Sequence, residues 1–207
     1  MTWALNNYDR LLAALGEHVM LVGIALAISL AVALPLGIWS ARGPRVYFVI
    51  LIVTGILYTI PALALFALLI PMMGLGAGPA ITAIVLYSLL ILVRNIATGL
   101  REVPRDIIEA ANGMGFGSWR RLIRIELPLA LPVIVAGIRI TTVTQISVAT
   151  VAAFINAGGL GDLIFQGITQ DSGEKLLAGA VAASLLAVAA DEILRRLERR
   201  IRMAQAA

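Results

Sequence analysis

Glu109-Ala-Ala-Asn-Gly-Met-Gly-Phe-Gly-Ser-Trp-Arg-Arg-Leu-Ile-Arg-Ile-Glu-Leu-Pro128 is a polar, arginine-rich island between two long apolar runs. The runs on either side belong to a chain that is 60% hydrophobic and 14% charged, with a mean hydropathy of +0.97. A soluble domain of 207 residues cannot hide that much apolar surface from water. The fold class read from the sequence is therefore an all-α membrane protein. A bilayer core of roughly 30 Å needs about 20 apolar residues of helix, and five stretches meet or nearly meet that length, at about 19–41, 46–70, 77–93, 129–155 and 175–194. Helices satisfy their own backbone in lipid, and no long alternating pattern suggests a barrel.

Arginine placement predicts the orientation. With five spans, thirteen of the sixteen basic residues share one side: Arg42 and Arg45, the six between spans three and four, and the five from Arg195 to Arg202. Only Arg10 and Lys175 fall on the other side, and Arg139 lies inside span four. The positive-inside rule puts the N-terminus outside and the C-terminus in the cytoplasm. The expected organisation is an external or interfacial amphipathic segment (1–18), a transmembrane permease domain (19–194) with a cytoplasmic coupling loop at about 94–128, and a basic cytoplasmic tail (195–207). Tyr8, Leu11, Leu12, Leu15 and Val19 at helical spacing suggest that the first segment is a short helix at the membrane surface.

The island itself reads as a helix–turn–helix. Pro104 suits a helix start, Asp106 and Glu109 favour the first turns, and Ala110 and Ala111 let another surface approach. Gly113, Gly115 and Gly117 stop the helix, and Ser118 is a candidate cap for a second one. Its fixed positions are Glu109, Ala110, Ala111, Gly115, Ile125, Leu127 and Pro128. This pattern resembles the EAA loop of permeases of ATP-binding-cassette importers. Tyr58–Pro71, Gly137-Ile-Arg139 and Asn156-Ala-Gly-Gly-Leu-Gly161 extend the resemblance to osmoprotectant permeases of the glycine betaine, carnitine and choline type, over roughly residues 20–190. In the family's Gly-Ala-Gly-Gly-Leu-Gly pattern, this chain has Asn156 at the first position.

The resemblance implies a methionine-importer-permease-like fold in a bacterial or archaeal plasma (inner) membrane. It implies a second permease subunit (the same chain or a close paralogue), a cytoplasmic ATPase dimer and a separate external substrate-binding protein. Lipid is the other expected neighbour, and no nucleic acid is implied. ATP and magnesium would sit on the partner ATPase, with no cofactor on this chain and no catalytic residue. The residues agree: the glycine clusters lack the Gly-Lys-Ser/Thr ending and βαβ setting of a phosphate loop, and Cys is absent. His18 has no partner for a triad or a metal and reads as a surface or interfacial histidine.

Pathway candidates follow. Arg139 lies about 16 Å up its helix from Pro128; it reads either as a gate or latch, or as an arginine snorkelling to the interface or paired with a carbonyl. Thr141, Thr142, Thr144, Gln145, Ser147 and Thr150 suit a water-lined path or inter-helix glue. Tyr58, Phe66 and Tyr87 offer cation–π faces to a quaternary ammonium, or packing. Gly158, Gly159 and Gly161 form a tight outer turn that reads as a gate or receptor-docking surface, or as a plain re-entrant turn. Small residues Gly179, Ala183 and Ala187 suit close packing, within the subunit or across a dimer seam. Asp191 and Glu192 are expected to pair with Arg195 and Arg196.

Overall fold

The computed structural model describes residues 2–206, and Met1 and Ala207 lie outside the described residues. All regular structure among the described residues is helical. A short α1 (Thr2–Asn6) precedes the long α2 (Tyr8–Ala41); α3 (Pro44–Thr59), α4 (Ala62–Met73) and α5 (Ala77–Arg101) follow. The island supplies α6 (Arg105–Gly113) and α7 (Ser118–Arg121); α7 passes through a π-helical turn, Leu122–Glu126, into α8 (Leu127–Ala152). After a 3-10 turn at Ala153–Ile155 come α9 (Leu160–Thr169) and α10 (Gly173–Ala206).

Helix α5 is the central post. Its fully buried Ala80, Ala83, Ile84, Leu92, Val93 and Ile96 meet α2 and α8 in two apolar clusters along its length. Contact is close because small residues face it: a Cβ on Gly37 of α2 would come within 2.5 Å of Ile96. In lipid there is no hydrophobic drive between helices, so such backbone proximity is what packing gains from. The small residues of span five serve the same end inside the subunit. A Cβ on Gly179 would press on Ile164 and Leu163 of α9 at 3.0 Å, and Ala183 is buried in a third cluster with Leu160 and Leu163.

The second expected span, 46–70, is corrected. It is two helices, α3 and α4, bent by 93°. Neither piece reaches across roughly 30 Å of hydrocarbon at about 1.5 Å per residue. The cause is Pro61. A proline disfavours helical geometry in the residue before it, and Ile60 is extended (φ −65°, ψ 126°). Among the described residues four helices are long and apolar enough to cross a membrane, or five crossings if the bent pair counts as one.

A break in lipid frees carbonyls that need donors. Tyr87 of α5, almost fully buried, donates its hydroxyl to the Ile60 carbonyl at the bend, and its ring meets Tyr58 edge-to-face at 5.7 Å. Tyr87→Phe is expected to destabilise the protein by about 1–3 kcal/mol, the range for stranding a buried acceptor. Tyr58 is 39% exposed, so Tyr58→Phe should change little. Thermal unfolding of the purified chain in detergent compares the two; equal, small shifts would show that the hydroxyl does not hold the bend.

Both ends are continuous helix. α2 runs without interruption from Tyr8 to Ala41, so the segment expected at the membrane surface and the first span share one helix. Residues 195–206 continue α10 without interruption.

Candidate coupling knob and pathway residues

The knob is built as the island's residues require, with two corrections. The chain leaves α6 through a two-bond C-cap: Phe116 N–H donates to the Ala111 carbonyl at 3.1 Å and Gly115 N–H to that of Asn112 at 3.0 Å. That cap needs a left-handed residue between them, and Gly115 provides it at φ +80°. Gly113 and Gly117 are not left-handed, so only the motif glycine is conformationally required. Gly117 holds the cap position of α7, and Ser118 is already helical and makes no capping bond. Ala111 is the second correction. It is fully buried within the subunit, while Glu109 and Ala110 face outward.

Arg121 ties the two knob helices. It donates to the Asn112 side chain at the end of α6 and pairs with Glu126 at 2.6 Å. The π turn follows from Pro128, which lacks the N–H to continue an ordinary helix; Leu127 N–H reaches back five residues to the Leu122 carbonyl instead. Ile125 and Leu127 are half-buried and Pro128 is exposed. The carbonyl of Pro128 would normally serve residue 132, but Pro132 has no N–H either. Gln205 of α10 fills that vacancy, donating its side-chain amide to Pro128 O at 2.6 Å.

Arg139 joins the same two helices. Its Nε lies 3.1 Å from Asp191 and its Nη1 3.0 Å from Glu198, both on α10. Glu198 also meets Arg202 at 3.0 Å. Arg139 thus links α8 to α10 as a latch would, through carboxylates rather than a carbonyl. The expected Asp191 partnership with Arg195 and Arg196 is therefore corrected: Glu192 alone takes both arginines.

The structure separates the polar residues of α8. Gln145, Thr141 and Thr142 are buried. Gln145 donates to Ser88 at 2.7 Å and to Ser29 at 3.1 Å, clamping α8 to α5 and α2; it faces the inside of the subunit, not an open path. Ser147 and Thr150 point the other way and line, with Ser184 of α10, a cavity of about 290 Å³. Of the aromatic candidates, Phe66 is buried in the core and Tyr87 is occupied at the bend, leaving Tyr58 the one with an exposed edge.

The outer turn is anchored inside the subunit. Gly159 N–H donates to the Glu17 carboxylate at 3.0 Å, and a Cβ on Gly161 would sit 2.1 Å from the Thr150 carbonyl oxygen. His18, expected at the surface, is 1% exposed. It donates from Nε2 to the Ile146 carbonyl at 3.2 Å and packs against Gly159. Sequence reasoning missed Glu17 and His18 as anchors because their partners lie more than 120 residues away. Burial, with the Glu17 carboxylate beside it, holds the Asp162 carboxyl above its usual range. Asn156 is left-handed at φ 60°, a conformation asparagine tolerates better than most residues, so its departure from the family glycine is compatible with the turn.

Residues 33–203 match the family described as binding-protein-dependent transport system inner membrane component. The chain belongs to that family. It is a multi-pass inner-membrane permease. Its relatives include the glycine betaine/carnitine/choline transport system permease protein OpuCB of Bacillus subtilis, 38% identical over 97% of this chain and 93% of the relative. The osmoprotectant import permease protein OsmW of Salmonella typhimurium is 40% identical over 95% of this chain and 94% of its own. The permease fold matches that of the inward-facing MetNI methionine ABC transporter, with a TM-score of 0.83 at 21% identity over 94% of this chain and 97% of the other.

Proposed function

We propose that this permease forms the translocation path of an ATP-driven importer for osmoprotectants such as glycine betaine, choline or carnitine. The observation that carries the substrate class is near-full-length identity of 38–40% to permeases bearing those names. A cytoplasmic ATPase dimer, carrying ATP and magnesium, grips the exposed knob at Glu109 and Ala110. A loaded external binding protein docks by the turn at Gly158, Gly159 and Gly161, and a second permease subunit completes the path. The arginine distribution supports the N-terminus outside and the knob and α10 extension in the cytoplasm. Each partner biases a bundle that has two arrangements. The open hydroxyl cavity at Ser147, Thr150 and Ser184 and the exposed ring of Tyr58 are its candidate solute contacts.

The Glu109 side chain is exposed and forms no ion pair among the described residues, so Glu109→Lys should leave the bundle folded. Gly115→Val should unravel the knob locally, at about 1–2 kcal/mol for a side chain forced left-handed. In liposomes holding the assembled importer, a solute-loaded binding protein should stimulate ATP hydrolysis in wild type and in neither variant. Full stimulation in assembled Glu109→Lys would refute the docking assignment.

A further inference from the structure

Behind the knob lies a cavity of about 540 Å³, open on one side. Four arginines line it: Arg42 at the end of α2, Arg101 at the end of α5, Arg105 on α6 and Arg121 on α7. Among the described residues the only carboxylate in its wall is Glu126, which Arg121 already engages at 2.6 Å. Arg101 lies over the Tyr47 ring at 4.1 Å and reaches the Ser40 carbonyl at 3.4 Å, contacts that leave its charge uncancelled. Neither Arg42 nor Arg105 forms an ion pair among the described residues. Three arginines without an ion pair among the described residues therefore border one space.

The positive-inside rule explains why arginines lie at this end of the bundle. It does not explain why segments distant in sequence bring them to one cavity. An anion placed among like charges relieves their repulsion, and a planar guanidinium matches phosphate oxygens two at a time. Apolar side chains such as Ile38 and Leu100 form much of the rest of the wall, while Arg42, Arg101 and Arg105 remain exposed to solvent. An apolar groove of about 260 Å³ lined by Trp39, Arg45 and Val49 lies at the adjoining α2–α3 turn. Trp39 is 56% exposed, as expected of a side chain at headgroup level.

We propose that this arginine-lined cavity binds a phosphate-bearing anion. Its source is either the headgroup of an anionic phospholipid or a free phosphate ester. Occupancy ties the ends of α2 and α5 to α6 and so fixes the seat of the knob. The site is independent of which solute the importer carries.

The test uses the full chain in nanodiscs and reads thermal stability and lipid retained on native mass spectrometry. One arm has phosphatidylcholine discs with added pyrophosphate; the other has discs containing phosphatidylglycerol and no added anion. Stabilisation in the second arm alone assigns the lipid, and in the first the free anion; either supports the site. Arg42→Gln with Arg105→Gln should weaken binding roughly 100-fold, since each lost charge-assisted contact is worth about a factor of ten. Arg199→Gln with Arg200→Gln, which removes the same charge from the α10 extension, should not. If the glutamine pair fails to fold, Arg42→Lys with Arg105→Lys keeps the charge, loses the fork and should bind about tenfold more weakly. No stabilisation in either arm, equal loss in cavity and tail variants, or unchanged affinity in the lysine pair overturns the proposal.

Discussion

Gly161→Val is expected to prevent the outer turn from seating, with a loss of about 3 kcal/mol or more and little assembled protein in the membrane. A Cβ at this position would lie 2.1 Å from the Thr150 carbonyl oxygen and 2.8 Å from Ala153 Cβ. Overpacking a core typically costs about 1–3 kcal/mol when side chains can yield. Here the obstacle is backbone in the last turns of α8, so relief means moving the helix. The displacement would carry the Gly158–Gly159 turn away from Glu17 and His18, undoing a hydrogen bond and the packing of a buried histidine. Gly23→Ala is the control, because nothing lies within 4 Å of a Cβ there. Thermal unfolding in detergent, with the yield of monodisperse protein, reads both variants. A Gly161→Val protein as stable as Gly23→Ala would mean that α9 and α8 are not packed this closely.

Arg139→Met should cost about 2 kcal/mol, and Arg139→Met with Glu198→Leu should recover most of it. Removing one partner of a buried pair leaves the other charge stranded, typically at about 3–5 kcal/mol. The figure is discounted because Asp191 is 45% exposed and screened by water, and because Glu198, only 11% exposed, keeps Arg202. Replacing both charges by apolar groups removes the buried Glu198 carboxylate, which only the exposed Arg202 would otherwise balance, and that is the reason for the recovery. The release should be local to α10, so hydrogen exchange is the sharper readout: amides from Asp191 onward should exchange faster in the single variant only. Equal protection in wild type and Arg139→Met would remove the latch.

The helix–turn–helix of the island was legible in the sequence because its determinants are local. Proline, a glycine with positive φ and a short acidic-first helix act within one or two turns, and they lie where the spacing places them. The broken span was not legible from hydropathy, since residues 46–70 stay apolar across the bend and prolines are common in membrane helices. Ile60-Pro61 carried the signal, but only Tyr87, 27 residues on, shows that the freed carbonyl has a donor. Gln145 was legible as polar and not as inward-facing, because that depends on Ser29 and Ser88 on two other helices. Arg139 is intermediate: Asp191 and Glu198 lie seven residues apart on one face of α10, which marks a two-turn acidic stripe awaiting a cation. His18 carried no local signal at all; its environment is assembled by the glycine turn.

Uptake of labelled glycine betaine tests the central claim most directly. Cells without their own osmolyte importers would express this chain with its ATPase and binding protein, beside the same set carrying Glu109→Lys. Accumulation that requires the ATPase and disappears in the variant is the predicted result. Accumulation that persists without the ATPase would contradict an ATP-driven permease, and its absence while the binding protein still stimulates ATP hydrolysis would contradict the osmoprotectant assignment.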